Sequence, residues 1–225
     1  LDPGESASEA EFVTAADDRA TDVVPRRRLD LSLGARIGLA VVIFWCVIAV
    51  IGPWIAPYEV YDDPGHKELA PISAEFPLGT DAYYRDVLSL ILHGARLTIS
   101  LSLASTVLAY AIGVVFGFTA AIAGGWLDTL LSRVNDAFLS LPTIMTGLVV
   151  IAALGPSIPV LIGATGVIYA TGVYRIARAL ALNIQAMDFV EAARNRGEGL
   201  WWIIRREIWP NAWLPLLTDF GLKLV

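Results

Sequence analysis

The chain is poor in lysine, histidine and cysteine, and each shortage removes a class of chemistry. Only Lys67 and Lys223 occur among its 225 residues, and neither lies in a Gly-Lys-Ser/Thr sequence, so the chain carries no phosphate-binding loop and no nucleotide motor of its own. The two histidines, His66 and His93, have no second ligand at metal spacing, which argues against a metal centre. The lone cysteine, Cys46, excludes an intrachain disulfide and, inside an apolar run, reads as a packed, inert thiol. The HExxH and GxSxG motifs are missing, which leaves an intramembrane hydrolase unsupported. A net charge of −6 offers no basic face to nucleic acid. No apolar run precedes Leu39, so no signal peptide is read, and residues 1–28 are expected to form an acidic, disordered tail.

What the chain has in excess is apolar surface: 56% of its residues are hydrophobic, above the 45–50% or so of ordinary soluble domains. Four stretches approach the roughly 20 apolar residues that cross a bilayer: 37–57, 97–123, 137–154 and 158–174. A fifth run begins near Ile208 and carries Asp219 and Lys223, four apart on one helix face, able to pair with each other or to face a protein interior. The four full stretches have no ionisable residue in their cores, whereas ion-coupled carriers place such groups at membrane depth. The arginines orient the chain. Twelve basic residues fall on the side of the N-terminus and of residues 189–211, and three on the other, so the N-terminus is expected in the cytoplasm and residues 58–96 outside. Trp54, Trp201, Trp202 and Trp209 then read as interfacial anchors.

Between the fourth and fifth runs lies "FVEAARNRGEGLWWIIRREIWPN", with four arginines, three glutamates and paired tryptophans. Asp188 and Glu191 have the spacing of a capping box. They predict a helix over about 189–196 that stops at Gly197, a suitable left-handed residue. A second helix over 200–208 is expected to end before Pro210. Small Ala192 and Ala193 would let a partner approach closely. The arginines can meet acidic groups or lipid phosphates, or serve only as a positive belt.

These residues resemble the EAA signature of the membrane subunits of bacterial ABC importers: Glu191, Ala192 and Ala193, a glycine four residues later at Gly197, and a proline thirteen after that at Pro210. A second block, "FPLGTDAYYRDVLSLILHGARLTISL" (76–101), is similar to the external segment of the dipeptide/oligopeptide permease subfamily, and a third, "GGWLDTLLSRVNDAFLSLPT" (124–143), to a loop and helix of the same group. Tyr84 stands where the external pattern has glycine. Tyrosine does not readily take a positive φ, so a differently shaped turn is expected there. Leu90, Glu207 and Trp209 also depart from the usual residues.

The resemblance implies an all-α, polytopic inner-membrane protein with the helical bundle of type I ABC importers, about five spans being present and a sixth apparently missing. It divides the chain into a tail (1–28), a first span with its lead-in (29–57), an external segment with an interfacial helix (58–96), and a permease bundle (97–225) containing the coupling segment 188–210. Glu191, Ala192, Ala193, Arg194, Gly197 and Pro210 would form the joint with an ATPase subunit, which binds ATP and Mg in the chain's stead. Gly79, Thr80, Asp81, Arg85 and Asp86 would make the external motif that meets an extracytoplasmic substrate-binding protein, although a solvated loop explains them equally well. A second, related permease and membrane lipid complete the implied partners. The implied function is the uptake of di- or oligopeptides, without a catalytic residue in this chain. The competing readings are an ion-coupled or passive carrier working without an ATPase, and a membrane scaffold or signalling subunit.

Overall fold

The computed structural model describes residues 32–60 and 69–224. The tail assigned to residues 1–28, and His66 and Lys67, lie outside the described residues. Among the described residues all regular structure is helical, apart from an isolated bridge between Thr80 and Asp86. Three helices are long and apolar enough to cross a membrane: α1 (Leu33–Ile55), α2 (Val87–Ala123) and α5 (Ile158–Gln185). A fourth span is possible if α3 (Gly125–Leu139) and α4 (Thr143–Leu154) count as one broken pair.

Of the described residues, 32–44 belong to one compact unit and those from Trp45 onward to a second. In the first, α1 exposes Ile37, Leu39, Val41, Val42, Ile43 and Phe44, a surface that suits hydrocarbon and not water. In the second, α1 continues with Cys46, which is exposed on the helix surface and not packed as expected from its apolar run. Near the end of α1, Gly52 sits against α2 so closely that a Cβ there would lie 2.6 Å from the Leu92 carbonyl oxygen.

The centre of the second unit is the pairing of α2 with α5. The two helices run parallel: Leu108 meets Gly166, Gly113 meets Ala170 and Val173, and Gly117 meets Tyr174 and Ala177. Sequence spacing explains the fit. Ala109, Gly113, Gly117 and Ala121 recur every fourth residue on α2, and Gly166, Ala170, Ala177 and Ala181 give α5 a matching stripe. Small residues let helix backbones approach and gain dispersion contacts where no hydrophobic effect drives them together.

The remaining apolar runs depart from their expected bounds. The stretch 137–154 is not one helix: α3 and α4 meet at 85°. Pro142, at the N-cap of α4, has no N–H and disfavours helical backbone at Leu141, which places the break there. The fourth stretch extends past Tyr174 to Gln185 and takes in Arg175 and Arg178. Residues 69–86, expected to include an interfacial helix, contain none; residues 87–96 are instead the first turns of α2.

Gly117 offers a check on the α2–α5 packing. A Cβ there would lie 2.7 Å from the Tyr174 carbonyl oxygen, so Gly117→Ala should destabilise the protein by about 1–3 kcal/mol. At Gly163, where nothing lies within 4 Å, Gly163→Ala should stabilise α5 by roughly 0.5–1 kcal/mol. Opposite shifts of Tm for the two variants in detergent would verify the interface.

Candidate functional site: a polar segment between spans

The polar segment begins at α6 (Asp188–Asn195), which follows α5 after a bend of two residues. Met187 occupies the N-cap and no side chain bonds there, so the capping box expected from Asp188 and Glu191 does not form. Both carboxylates lie in the first turn, where they still interact favourably with the positive end of the helix dipole. The C-terminus behaves as expected. Gly197 has φ +83°, its N–H donates to the Arg194 carbonyl at 2.9 Å, and Glu198 N–H reaches back to the Ala193 carbonyl at 3.2 Å. These two bonds are the Schellman closure that a left-handed glycine permits.

Burial sorts the segment into two faces. Val190 and Ala193 are completely buried, while Glu191, Ala192, Arg194 and Gly197 are exposed. Ala193 is therefore not available for a partner's close approach as expected; Ala192 alone of the two alanines is. Arg194 donates to Gln185 Oε1 at 2.9 Å, and the Arg196 guanidinium lies 6.0 Å from the centre of the Trp202 ring.

The chain does not end its helix before Pro210. Helix α7 (Leu200–Ile203) passes into a π-helical turn (Ile204–Ile208) and then directly into α8 (Trp209–Lys223). The widened turn accommodates a proline that has no N–H and whose ring would crowd the preceding turn. Asn211 Nδ2 donates to the Glu207 carbonyl at 2.6 Å. Pro210 itself is exposed. Ile203, Ile208, Ala212 and Leu216 carry this continuous helix into the same apolar core as Phe118, Ala121 and Ile122 of α2 and Ala177 and Ala181 of α5. Trp209 meets Phe118 edge-on, with centroids 6.4 Å apart. The polar segment is thus fastened to both halves of the central pair.

One fastening escaped sequence reading. Arg178 of α5 forms a fork with Asp128 of α3, Nε to Oδ1 and Nη2 to Oδ2 at 2.6 Å each. Ser132 lies 2.9 Å from the Tyr174 hydroxyl beside it. Fifty residues separate the partners, and neither has a local signature. The Asp219–Lys223 pair was legible and forms at 3.2 Å; Tyr110 of α2, whose hydroxyl donates to the other Asp219 oxygen, was not.

The second candidate cluster lies between α1 and α2. Gly79, Thr80 and Asp86 are buried, and only Asp81 and Arg85 keep partial surface. Asp86 caps α2 by accepting from Ser89 N–H and Oγ at 2.8 and 2.7 Å, and Thr80 Oγ1 accepts from Ala70 N–H at 2.7 Å. Gly79 has φ +75° with the Ala70 carbonyl 2.6 Å from where a Cβ would be. Asp81 and Arg85 do pair, at 2.7 Å, within a turn and not along a helix. Tyr84 adopts φ +65°, a left-handed conformation that tyrosine takes only rarely. Partial burial alone would raise the Asp81 carboxyl, but the Arg85 side chain and the Arg85 and Tyr83 amides outweigh it and hold the carboxyl below its ordinary value.

Comparison with known proteins adds a family to this geometry. Residues 113–225 match the family described as "Binding-protein-dependent transport system inner membrane component", and residues 27–71 match "N-terminal TM domain of oligopeptide transport permease C". A protein of Brucella suis named for a peptide transport system permease is 34% identical over 217 residues, covering 95% of this chain and 72% of the relative. A dipeptide transport system permease protein of Bacillus subtilis is 31% identical, covering 88% of this chain and 62% of its own length. A di/tripeptide transport system permease protein of Pseudomonas aeruginosa is 30% identical, covering 84% and 65%.

Two measurements check the site geometry. Ala193→Leu should overpack the buried face and cost about 1–3 kcal/mol, whereas Ala192→Leu, on the exposed face, should leave Tm within about 1 °C of the parent. The Asp81 turn should be intact at neutral pH and loosen only as acid brings the pH down through the lowered carboxyl value. Hydrogen exchange at the Arg85 amide, which donates to Asp81 Oδ1 at 2.9 Å, would report the loosening.

Proposed function

We propose a function from one premise: this chain belongs to the family of binding-protein-dependent transport system inner membrane components. It is the permease subunit of an ATP-driven importer for small peptides, and it works with a second permease, ATPase subunits and an external binding protein. The relatives' names, which specify peptide, dipeptide and di/tripeptide transport, support the substrate class. In this reading residues 188–210 lie on the cytoplasmic side, where arginines predominate.

The observation that carries the coupling role is the two-faced character of α6. Its outer face presents Glu191, Ala192 and Arg194 beside the Gly197 turn, and its inner face is anchored by Val190 and Ala193. An ATPase groove that grips the outer face would therefore move the inner face and the spans packed on it. Such rigid-body transmission needs a stiff segment and a firm anchor. No group in the segment performs chemistry; ATP hydrolysis belongs to the partner. A carrier working without an ATPase remains the competing reading, favoured only by the ionisable Asp219–Lys223 pair within α8.

The test is co-purification of the tagged protein in mild detergent, with uptake assayed in parallel. A P-loop ATPase should accompany the parent. Gly197→Val places a β-branched residue at φ +83°, where no neighbour lies within 4 Å, so the strain falls on the turn and not on the core. The variant should reach the membrane in parental amounts yet lose at least about 90% of ATP-dependent uptake, a loss of roughly 1.4 kcal/mol or more of coupling. Unaltered uptake by Gly197→Val, or transport by the chain alone without ATP, would refute the coupling role.

A further inference from the structure

The cluster around Lys223 is not explained by coupling. Lys223 lies about 21 Å along α8 from Trp209 at 1.5 Å per residue, and its side chain is largely buried. An ammonium taken out of water is costly, and such groups face partners in the protein interior or a water-filled cavity. Here the charge is balanced by Asp219, whose other oxygen is held by Tyr110. Asp219 takes one of the three ammonium hydrogens and leaves two.

Those hydrogens belong to a side chain that lines a cavity of about 350 Å³ between α2, α5 and the end of α8. Its wall is rich in hydroxyls: Thr98, Ser102, Ser105 and Thr106 from α2, with Thr165 and Tyr169 from α5. Ser105 is 97% buried, and its Oγ has no hydrogen-bond partner. A buried hydroxyl left unpaired is costly, and a bound polar group can recover that loss. The apolar cavity between α2, α3 and α5, lined by Phe116, Leu131, Val134 and Phe138, has no comparable cation.

We infer that the Lys223 ammonium, held in place by Asp219, is a carboxylate subsite on the translocation path that takes the C-terminal carboxylate of a small peptide, with the surrounding hydroxyls serving its main-chain amides. The two ammonium hydrogens that Asp219 leaves can donate to a carboxylate, and hydroxyls can both donate and accept, as an amide requires. The cavity volume is within the range of small-ligand sites. Asp219 positions the ammonium and does not touch the peptide. The inference rests on the peptide-importer reading and deepens it.

Equilibrium dialysis of the assembled permease–ATPase complex, without binding protein, would use labelled dialanine and its C-terminal amide. The parent should bind the acid more tightly than the amide. Lys223→Met should weaken acid binding about tenfold, as expected from losing a hydrogen bond to a charged group, and should leave amide binding unaltered. Lys223→Arg should keep the preference for the acid, which separates a charge role from a structural one. Uptake by the parent, measured with binding protein and ATP, distinguishes the two levels of failure. A parent that carries no peptide refutes the importer reading. A parent that carries peptide but binds acid and amide alike, or a Lys223→Met variant that still prefers the acid, overturns the subsite alone.

Discussion

The close approach of α2 and α5 is the constraint on which the rest depends. Gly113 and Gly117 bring the backbones so near that a single added methyl group would collide with Val173 or the Tyr174 carbonyl. Because the helices run parallel with small residues in register, they behave as one body from the cavity beside Ser105 and Thr165 to the core around Phe118 and Ala181. At one end that body carries the polar segment. Farther along, it forms the hydroxyl-lined wall that faces Lys223.

The fastening of the polar segment follows from this body. Val190, Ile203 and Ile208 reach the α2–α5 core from both sides of the Gly197 turn, so the turn is bracketed by buried residues. The π-helical turn at residues 204–208 accepts Pro210 without interrupting the helix, and the chain passes from exposed segment to α8 as a continuous rod. The Asp128–Arg178 fork ties α3 to α5 near the same end. Packing, an uninterrupted backbone and a two-bonded ion pair therefore hold the segment to the α2–α5 pair.

Much of this was legible in the sequence because the bilayer simplifies the code. Apolar length located α1, α2, α5 and α8, arginine asymmetry suggested an orientation, and the Glu191-to-Pro210 spacing marked the segment. What escaped was set by pairing across the fold. Asp128 and Arg178 meet only because α3 folds back on α5. Tyr110 finds Asp219 because α8 packs on α2. Hydropathy could not see the 85° break before Thr143, since residues on both sides are apolar. The expected end of a helix at Pro210 failed because a π turn solves the same steric problem as a helix stop. Tyr84 took a left-handed conformation against its intrinsic preference because the Asp81 carboxylate binds the amides on both sides of it.

The central claim is that the exposed segment and the α2–α5 pair move as one body. The most direct test is a spin-label distance between position 192 on α6 and position 158 at the far end of α5, both exposed, in the assembled transporter with and without ATP. The length of α5 alone is about 40 Å. The account predicts the same distance in both states, while distances from position 192 to the partner permease change. A shift of several ångströms within this chain would mean that the segment hinges on its own, and would contradict the account.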